Sequence, residues 1–160
     1  MTGPDRLRLT ALLGSGALLL GAFWAERVWG LPPCPLCLWQ RAAHLIALIG
    51  AVGFLHRRIG WEVAGVVGTG LSGIVGLYQA GAEAGWWALI ADCGGAPDLS
   101  GLSPEAALAR MLEAAPPACD AALWSFAGLS LAGWNAALSG PLLLIWLRLL
   151  FSAPLSRSGR

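Results

Sequence analysis

The chain has 160 residues, of which 57% are hydrophobic and only 12% are charged, and its mean hydropathy is +0.67. This composition is typical of an integral membrane protein. A net charge of +1 argues against a nucleic-acid partner, because such a protein needs a basic surface.

Four apolar segments are candidates to cross a bilayer, which takes about 20 residues. They run approximately over residues 9–25, 38–55, 63–82 and 131–150. The sequence therefore predicts an all-α membrane protein, a bundle of four transmembrane helices that forms a single domain over residues 1–160.

The first segment has a competing interpretation as a secretory signal peptide, because Arg6 and Arg8 precede an apolar run. Cleavage needs small residues, whereas Phe23 and Trp24 occupy the place where they would be required. We therefore expect the first span to be retained.

The distribution of arginine predicts the orientation, because cytoplasmic flanks of membrane spans carry an excess of basic residues. Seven arginines fall on one side of the predicted spans: Arg6, Arg8, Arg57, Arg58, Arg148, Arg157 and Arg160. With these in the cytoplasm, both termini are cytoplasmic and the loops 26–37 and 83–130 are periplasmic.

The long second loop should contain one short helix. Ser103 is a suitable capping residue and Pro104 suits the first helical position, with an alanine-rich stretch to Met111 behind them. Further along, we expect residues 121–130 to lie near the membrane interface.

The third segment has a face of small residues, because Gly68, Ser72 and Gly76 are spaced four apart. Such faces let transmembrane helices approach each other closely. We assign these residues to helix packing rather than to ligand binding.

All four cysteines fall on the predicted periplasmic side, at Cys34, Cys37, Cys93 and Cys119. Disulfides persist there, so either two bridges or a redox circuit is expected. Of the three possible pairings we favour Cys34 with Cys37 and Cys93 with Cys119, because a two-residue spacer is typical of redox-active pairs. Two static structural disulfides are an alternative, as is a four-cysteine zinc site, although zinc ligands usually come as closely spaced pairs.

The setting of the first pair suggests reactivity. Prolines at 32, 33 and 35 keep the approach extended, and span two is predicted to begin directly after Cys37. The Cys37 sulfur would then lie beside a helix N-terminus, which favours a thiolate. Arg41 lies one turn deeper and either faces that sulfur or a bound electron acceptor, or extends to the lipid headgroups.

With the run Pro33-Cys34-Pro35-Leu36-Cys37-Leu38-Trp39-Gln40-Arg41 at the outer end of span two, the chain resembles the DsbB family of disulfide-forming membrane proteins. The resemblance covers nearly the whole length. It includes the order of the two cysteine pairs and the segment Trp124-Ser125-Phe126-Ala127-Gly128-Leu129-Ser130 before the last span.

The resemblance implies a protein of the bacterial inner membrane that relays electrons. Cys93 and Cys119, as a disulfide, would oxidise a periplasmic DsbA-like thiol-disulfide oxidoreductase, and Cys34 and Cys37 would reoxidise them. The electrons would then pass from the Cys37 sulfur to ubiquinone or menaquinone held near Arg41, which can stabilise charge on a quinone oxygen.

The resemblance has two departures near the expected quinone site. The family often carries a histidine near the outer end of span three, where this chain has Gln79 and Ala80, and some members carry a glutamate in place of Gln40. Besides Arg41, Gln40 and His44 of span two are candidate quinone contacts, although His44 also fits a packed polar residue.

Two other functions remain open from the sequence. One is a quinone-linked thiol oxidoreductase dedicated to another substrate, including enzymes similar to vitamin K epoxide reductase, although these normally place their loop cysteines before the Cys-x-x-Cys pair. The other is a non-enzymatic membrane scaffold of four helices with structural disulfides.

Overall fold

The computed structural model describes residues 3–52, 59–89, 99–112 and 118–152. Within them the helices are α1 (Gly3–Val28), α2 (Pro35–Val52), α3 (Ile59–Glu83), α4 (Pro104–Leu112) and α5 (Leu131–Ser152). Two short strands, β1 (Ser125–Phe126) and β2 (Leu129–Ser130), pair in antiparallel register. Each predicted span overlaps one long helix, and the predicted short helix is α4.

The four long helices form an up-and-down bundle in which α1 and α3 each pack against both α2 and α5. Ala11 of α1 packs against Trp146 and Leu149 of α5, so the beginning of α1 lies beside the end of α5. An ion pair of 2.6 Å between Arg8 and Glu62 joins the beginnings of α1 and α3. The first and last long helices therefore run antiparallel and meet at one end of the bundle.

The outer surface of the bundle is apolar. Leu20, Ile74 and Leu144 are each about two-thirds exposed or more, at 72%, 67% and 67%. In water such a surface would be unfavourable, whereas a bilayer solvates it well. Three stretches of the described helices are long and apolar enough to cross a membrane: Gly3–Val28, Trp61–Glu83 and Leu131–Ser152.

These three stretches belong to the described part of the chain, and α2 is not among them. Its first half carries the polar residues Gln40, Arg41 and His44. The all-helical class is thus confirmed, while the second crossing and the cytoplasmic position of both termini remain predictions.

Helix α4 begins as its sequence predicts. The Ser103 hydroxyl accepts a hydrogen bond of 3.3 Å from the backbone N–H of Ala106, and Pro104 is the first helical residue. This satisfies one of the donors that a helix N-terminus leaves free.

The segment before α5 forms a tight hairpin. Its central residues Ala127 and Gly128 have φ angles of 50° and 80°, which is the combination that a two-residue hairpin turn with the twist of its strands requires. Ser130 then accepts a hydrogen bond of 3.0 Å from the Gly133 N–H at the start of α5. The hairpin therefore leads directly into a capped helix.

Glycines on α3 set the distance to its two neighbours. A Cβ atom on Gly68 would lie 2.5 Å from both the Ala43 carbonyl oxygen and the Ala47 nitrogen of α2. A Cβ on Gly76 would lie 3.0 Å from the Ala132 carbonyl oxygen of α5. The predicted packing role of these small residues is confirmed, because backbone atoms occupy the space that a side chain would need.

Some sequence predictions fall outside the described residues. They concern the predicted cysteine partner in the long loop and the basic flanks after the second and fourth spans, namely Cys93, Arg57, Arg58, Arg157 and Arg160.

We predict that Gly68→Ala destabilises the bundle by about 1–3 kcal/mol, because the added methyl group meets backbone atoms that cannot move independently of α2. Gly70→Ala is the matched control, since its Cβ would meet only the Leu143 side chain at 3.8 Å. Thermal unfolding in detergent measures both variants. Equal melting temperatures for the two would contradict close packing at Gly68.

Candidate functional site

The first cysteine pair lies at the start of α2. The helix begins at Pro35, where a missing N–H costs nothing, so Cys34 occupies the capping position. Its sulfur accepts a hydrogen bond of 3.2 Å from the Cys37 N–H, and the two Sγ atoms lie 2.7 Å apart. The sequence predicted a helix start after Cys37, whereas the structure gives the N-terminal position to Cys34.

This geometry favours a thiolate on Cys34. The pKa of the Cys34 thiol is lowered from its ordinary value, mainly because the Cys37 side chain hydrogen bonds to its sulfur. The Cys37 backbone N–H lowers it further, whereas burial and the neighbouring Cys119 raise it. Since only thiolates attack disulfides, the more nucleophilic sulfur of the pair is that of Cys34.

A loop cysteine contacts this pair. Cys119 is fully buried and belongs to one apolar cluster with Cys34 and Leu36, and its thiol lies close enough to that of Cys34 to raise the Cys34 pKa. The structure therefore brings one member of the second predicted pair onto the first pair. The predicted pairing of Cys119 with Cys93 is not tested by the described residues.

Arg41 turns towards α1. Its guanidinium forms an ion pair with Glu26, donates a hydrogen bond of 3.1 Å to the Ala22 carbonyl and lies 4.9 Å above the centre of the Phe23 ring. Its Nε atom is buried and has no hydrogen-bond partner among the described residues. The Nε–H of Arg41 is therefore a donor without a partner in the described part of the chain, although the rest of the guanidinium is paired.

The other two candidate residues of α2 point into the bundle. Gln40 is 6% exposed and His44 is 2% exposed, and both hydrogen bond to Asn135 of α5, at 2.8 Å and 2.9 Å respectively. The Nδ1 atom of His44 is buried without a partner in the described part of the chain.

Gln79 of α3 reaches the cysteines directly. Its Nε2 atom lies 3.4 Å from the Cys34 sulfur and 3.8 Å from the Cys37 sulfur, while its Oε1 accepts a hydrogen bond of 2.8 Å from Gln40. From the sequence, Gln79 stood out only as a departure from the DsbB pattern, and Asn135 was missed. Both are single amides in otherwise apolar helices, a signal that could have identified them.

These groups surround one cavity of about 330 Å³. Its lining includes Cys34, Cys37, Gln40, Arg41, His44 and Gln79. The volume lies at the lower end of small-molecule sites, and most of the lining is apolar, as is usual for such sites. The structure therefore collects the described candidate residues of α2 around a cavity of the size of a small-molecule site.

An aromatic layer closes this end of the bundle. Trp29, which follows α1, stacks on Trp124 at 5.6 Å, Trp124 stacks on Phe126 of the hairpin, and Phe126 packs against Trp134 of α5. All three tryptophans line the cavity. Because Trp favours membrane interfaces, this layer fits a site at the edge of a bilayer.

Comparison with known proteins gives a consistent result. Residues 4–149 match the family described as disulfide bond formation protein DsbB. Proteins named disulfide bond formation protein B are similar to this chain in Marinobacter nauticus (34% identity, covering 81% of this chain and 82% of the relative) and Saccharophagus degradans (34%, 80% and 83%). The relative in Paracidovorax citrulli is 31% identical, with coverage of 92% and 88%. No solved structure matches the chain significantly.

We predict that Cys37→Ala raises the pKa of Cys34, because it removes the side chain whose hydrogen bond lowers that pKa most. Alkylation requires the thiolate, so the rate curve for Cys34 should move to higher pH. Iodoacetamide labelling of reduced protein, located by mass spectrometry across the neutral to alkaline range, measures the shift. Leu38→Ala, at a half-exposed neighbouring position, should leave the curve in place, and an unmoved curve in Cys37→Ala would contradict the assignment.

Proposed function

Because the chain belongs to the DsbB family of disulfide bond formation proteins, we propose that it oxidises a periplasmic DsbA-like thiol protein and passes the electrons through two cysteine pairs to a membrane quinone. In this function it is a protein-disulfide:quinone oxidoreductase. The observation that supports this most is that Cys34, Cys37 and Arg41 line a single cavity, with Cys119 packed against Cys34.

The first step takes place in the long loop. A thiolate of the reduced partner attacks the disulfide between Cys93 and Cys119, a mixed disulfide forms, and the second partner thiol resolves it. The partner leaves as a disulfide, and Cys93 and Cys119 remain as thiols. Two electrons and two protons have then entered the chain.

The second step moves the electrons to the first pair. A thiolate on Cys119 attacks the Cys34 sulfur of the disulfide between Cys34 and Cys37, and Cys37 leaves as a thiolate. Cys93 then attacks Cys119 in the mixed disulfide, which restores the loop disulfide and releases Cys34, so that the first pair is reduced. The contact between the Cys34 and Cys119 thiols supports this step, because exchange requires the attacking sulfur to touch the sulfur that it attacks. The apolar cluster around them keeps competing thiols away.

The residues around the cavity fit a quinone. The buried Nε of Arg41 is a donor without a partner among the described residues and can bind a carbonyl oxygen. The Nε2 of His44 donates to Asn135, which leaves the equally unpartnered Nδ1 as an acceptor for a hydroxyl group. When bound, ubiquinone or menaquinone would accept two electrons and two protons.

Within this site Arg41 and His44 would orient the ring, with Gln40 holding the polar side of the cavity in place. Cys34 and Cys37 lie on the same cavity and would give up two electrons and their two thiol protons as their disulfide forms. The ion pair of Arg41 with Glu26 lowers the cost of keeping the guanidinium in the apolar bundle, because a paired cation costs less to bury than a free one.

We place the protein in the bacterial inner membrane as a single domain of four spans, with both termini in the cytoplasm and the cysteines facing the periplasm. The cysteines lie at the opposite end of the bundle from the Arg8–Glu62 pair and the end of α5. That separation agrees with the positive-inside rule, because Arg6, Arg8 and Arg148 then face the cytoplasm.

We predict that purified protein in detergent, without oxygen, reduces one quinone for each disulfide formed in a reduced DsbA-like donor. Quinone absorbance and thiol trapping of the donor measure the two products, with ubiquinone and menaquinone analogues as acceptors. Absence of turnover with either quinone, while both cysteine pairs are oxidised, would instead favour a structural scaffold.

We predict that Cys37→Ser abolishes quinone reduction, because the first pair can no longer form its disulfide. Cys119→Ser should block oxidation of the partner protein, while a small dithiol that reduces the first pair directly still supports quinone reduction. Stopped-flow quinone absorbance with both donors separates the variants. Normal quinone reduction in Cys37→Ser would rule out the relay.

We predict that Arg41→Ala raises the quinone concentration needed for half-maximal rate by about tenfold or more, the usual effect of losing a hydrogen bond from a charged donor. Arg27→Ala is the matched control, because Arg27 lies at the same end of the bundle with its side chain 79% exposed. Steady-state kinetics over a range of quinone concentrations measures both, and identical curves would exclude a quinone contact at Arg41.

A further inference from the structure

A line of buried side-chain amides leads from the middle of the bundle to the first cysteine pair. Asn135 of α5 donates to Gln40 at 2.8 Å, Gln40 donates to Gln79 at 2.8 Å, and Gln79 donates towards the sulfurs of Cys34 and Cys37 at 3.4 and 3.8 Å. We call Asn135, Gln40 and Gln79 the amide chain. It connects three helices through their interior.

The direction of the amide chain is determined at both ends. At one end the Asn135 amide nitrogen also donates to the backbone carbonyl of Ser72, at 3.2 Å, and at the other end the Gln79 amide nitrogen donates to a Glu83 carboxylate oxygen at 3.0 Å. A carbonyl and a carboxylate only accept hydrogen bonds. Each amide of the chain therefore directs an N–H along the chain towards the sulfurs, and reversing any one amide would place two donors or two acceptors face to face.

Aligned amides polarise one another. In a low-dielectric interior each hydrogen bond strengthens the next, so the last N–H of a chain is a better donor than an isolated amide. Gln40 and Gln79 are only 6% and 4% exposed, which keeps water from screening this effect. The donor end of the chain meets the cysteine pair.

The last N–H of the amide chain has only a weak hydrogen-bond acceptor unless a sulfur of the first cysteine pair is charged. A neutral thiol sulfur accepts hydrogen bonds weakly, whereas a thiolate accepts them strongly. A buried amide N–H directed at Cys34 thus gains most when that sulfur carries a negative charge. Simple packing would not require the donor to face sulfur.

We propose that the amide chain is a positioning device that stabilises the thiolate of the first cysteine pair, and that Asn135 sets its direction. This inference rests on the proposed function, in which that pair is the immediate electron donor. Asn135 touches neither sulfur and acts through Gln40 and Gln79.

Several other groups affect the charge on the pair. Glu83 on α3 shares the Gln79 amide and opposes a thiolate by its own negative charge, and Cys119 from the loop raises the pKa of Cys34. Arg41 on α2 carries a positive charge at the same cavity, and Glu26 on α1 is paired with it. The test therefore compares variants that do not differ from one another at any of these four positions.

The experiment is a pH titration of the ultraviolet thiolate absorbance of the reduced pair, in full-length protein that carries Cys93→Ser and Cys119→Ser. Asn135→Leu removes the first amide and keeps the same number and branching of side-chain heavy atoms. We expect its titration midpoint to rise by about one pH unit, so that the thiolate fraction below the midpoint falls about tenfold.

Ser139→Ala is the control, because Ser139 lies one turn further along α5, is 1% exposed and is not part of the amide chain. Its midpoint should match that of the parent protein. Gln40→Leu interrupts the same chain one residue later and should reproduce the shift of Asn135→Leu, which keeps the test decisive if Asn135→Leu fails to fold.

An unchanged midpoint in folded Asn135→Leu or Gln40→Leu would overturn the inference, and so would an equal shift in Ser139→Ala, which would indicate general loosening of α5. Quinone reduction by the unmodified protein is measured separately. If the midpoint is unchanged in these variants while the unmodified protein reduces quinone normally, only the role of the amide chain is refuted. If the midpoint shifts but the unmodified protein does not reduce quinone, only the proposed function is refuted.

Discussion

Buried polar groups in an apolar bundle must find partners on neighbouring helices, and this constraint organises the structure. Helix α2 carries Gln40, Arg41 and His44 within two turns, and neither lipid nor the apolar interior can satisfy them. Glu26 of α1, Gln79 of α3 and Asn135 of α5 each satisfy part of this demand. The start of α2 is thereby tied to every other long helix of the bundle.

The sulfur chemistry depends on the same contacts at the start of α2. Cys34 caps α2, so the helix that carries the polar side chains also determines the position of the reactive sulfur. Cys119 packs against it in a cluster closed by Val75, Tyr78 and Leu89. Burial discourages a charged sulfur, and the hydrogen bonds from Cys37 offset this penalty. A buried but reactive sulfur requires both the apolar packing and the nearby donors.

Gln79 supplies the first cysteine pair with a hydrogen-bond donor that does not change with pH. Its side chain is a neutral amide, which does not titrate. Its N–H groups remain available to the sulfurs and to Glu83 at any pH.

The sequence by itself determined the helical class, the approximate extents of the long helices, the cap at Ser103 and the packing role of Gly68 and Gly76. These features follow from composition and short-range spacing, which act within a few turns of one helix. The Cys-x-x-Cys motif and Arg41 also stood out locally, which identified the family.

Only the tertiary structure decided which groups meet. Arg41 pairs with Glu26 rather than standing free, Gln40 bonds to Asn135 at a separation of 95 positions, and Cys119 contacts Cys34. Each contact depends on the rotation and spacing of packed helices, which no local window of sequence encodes.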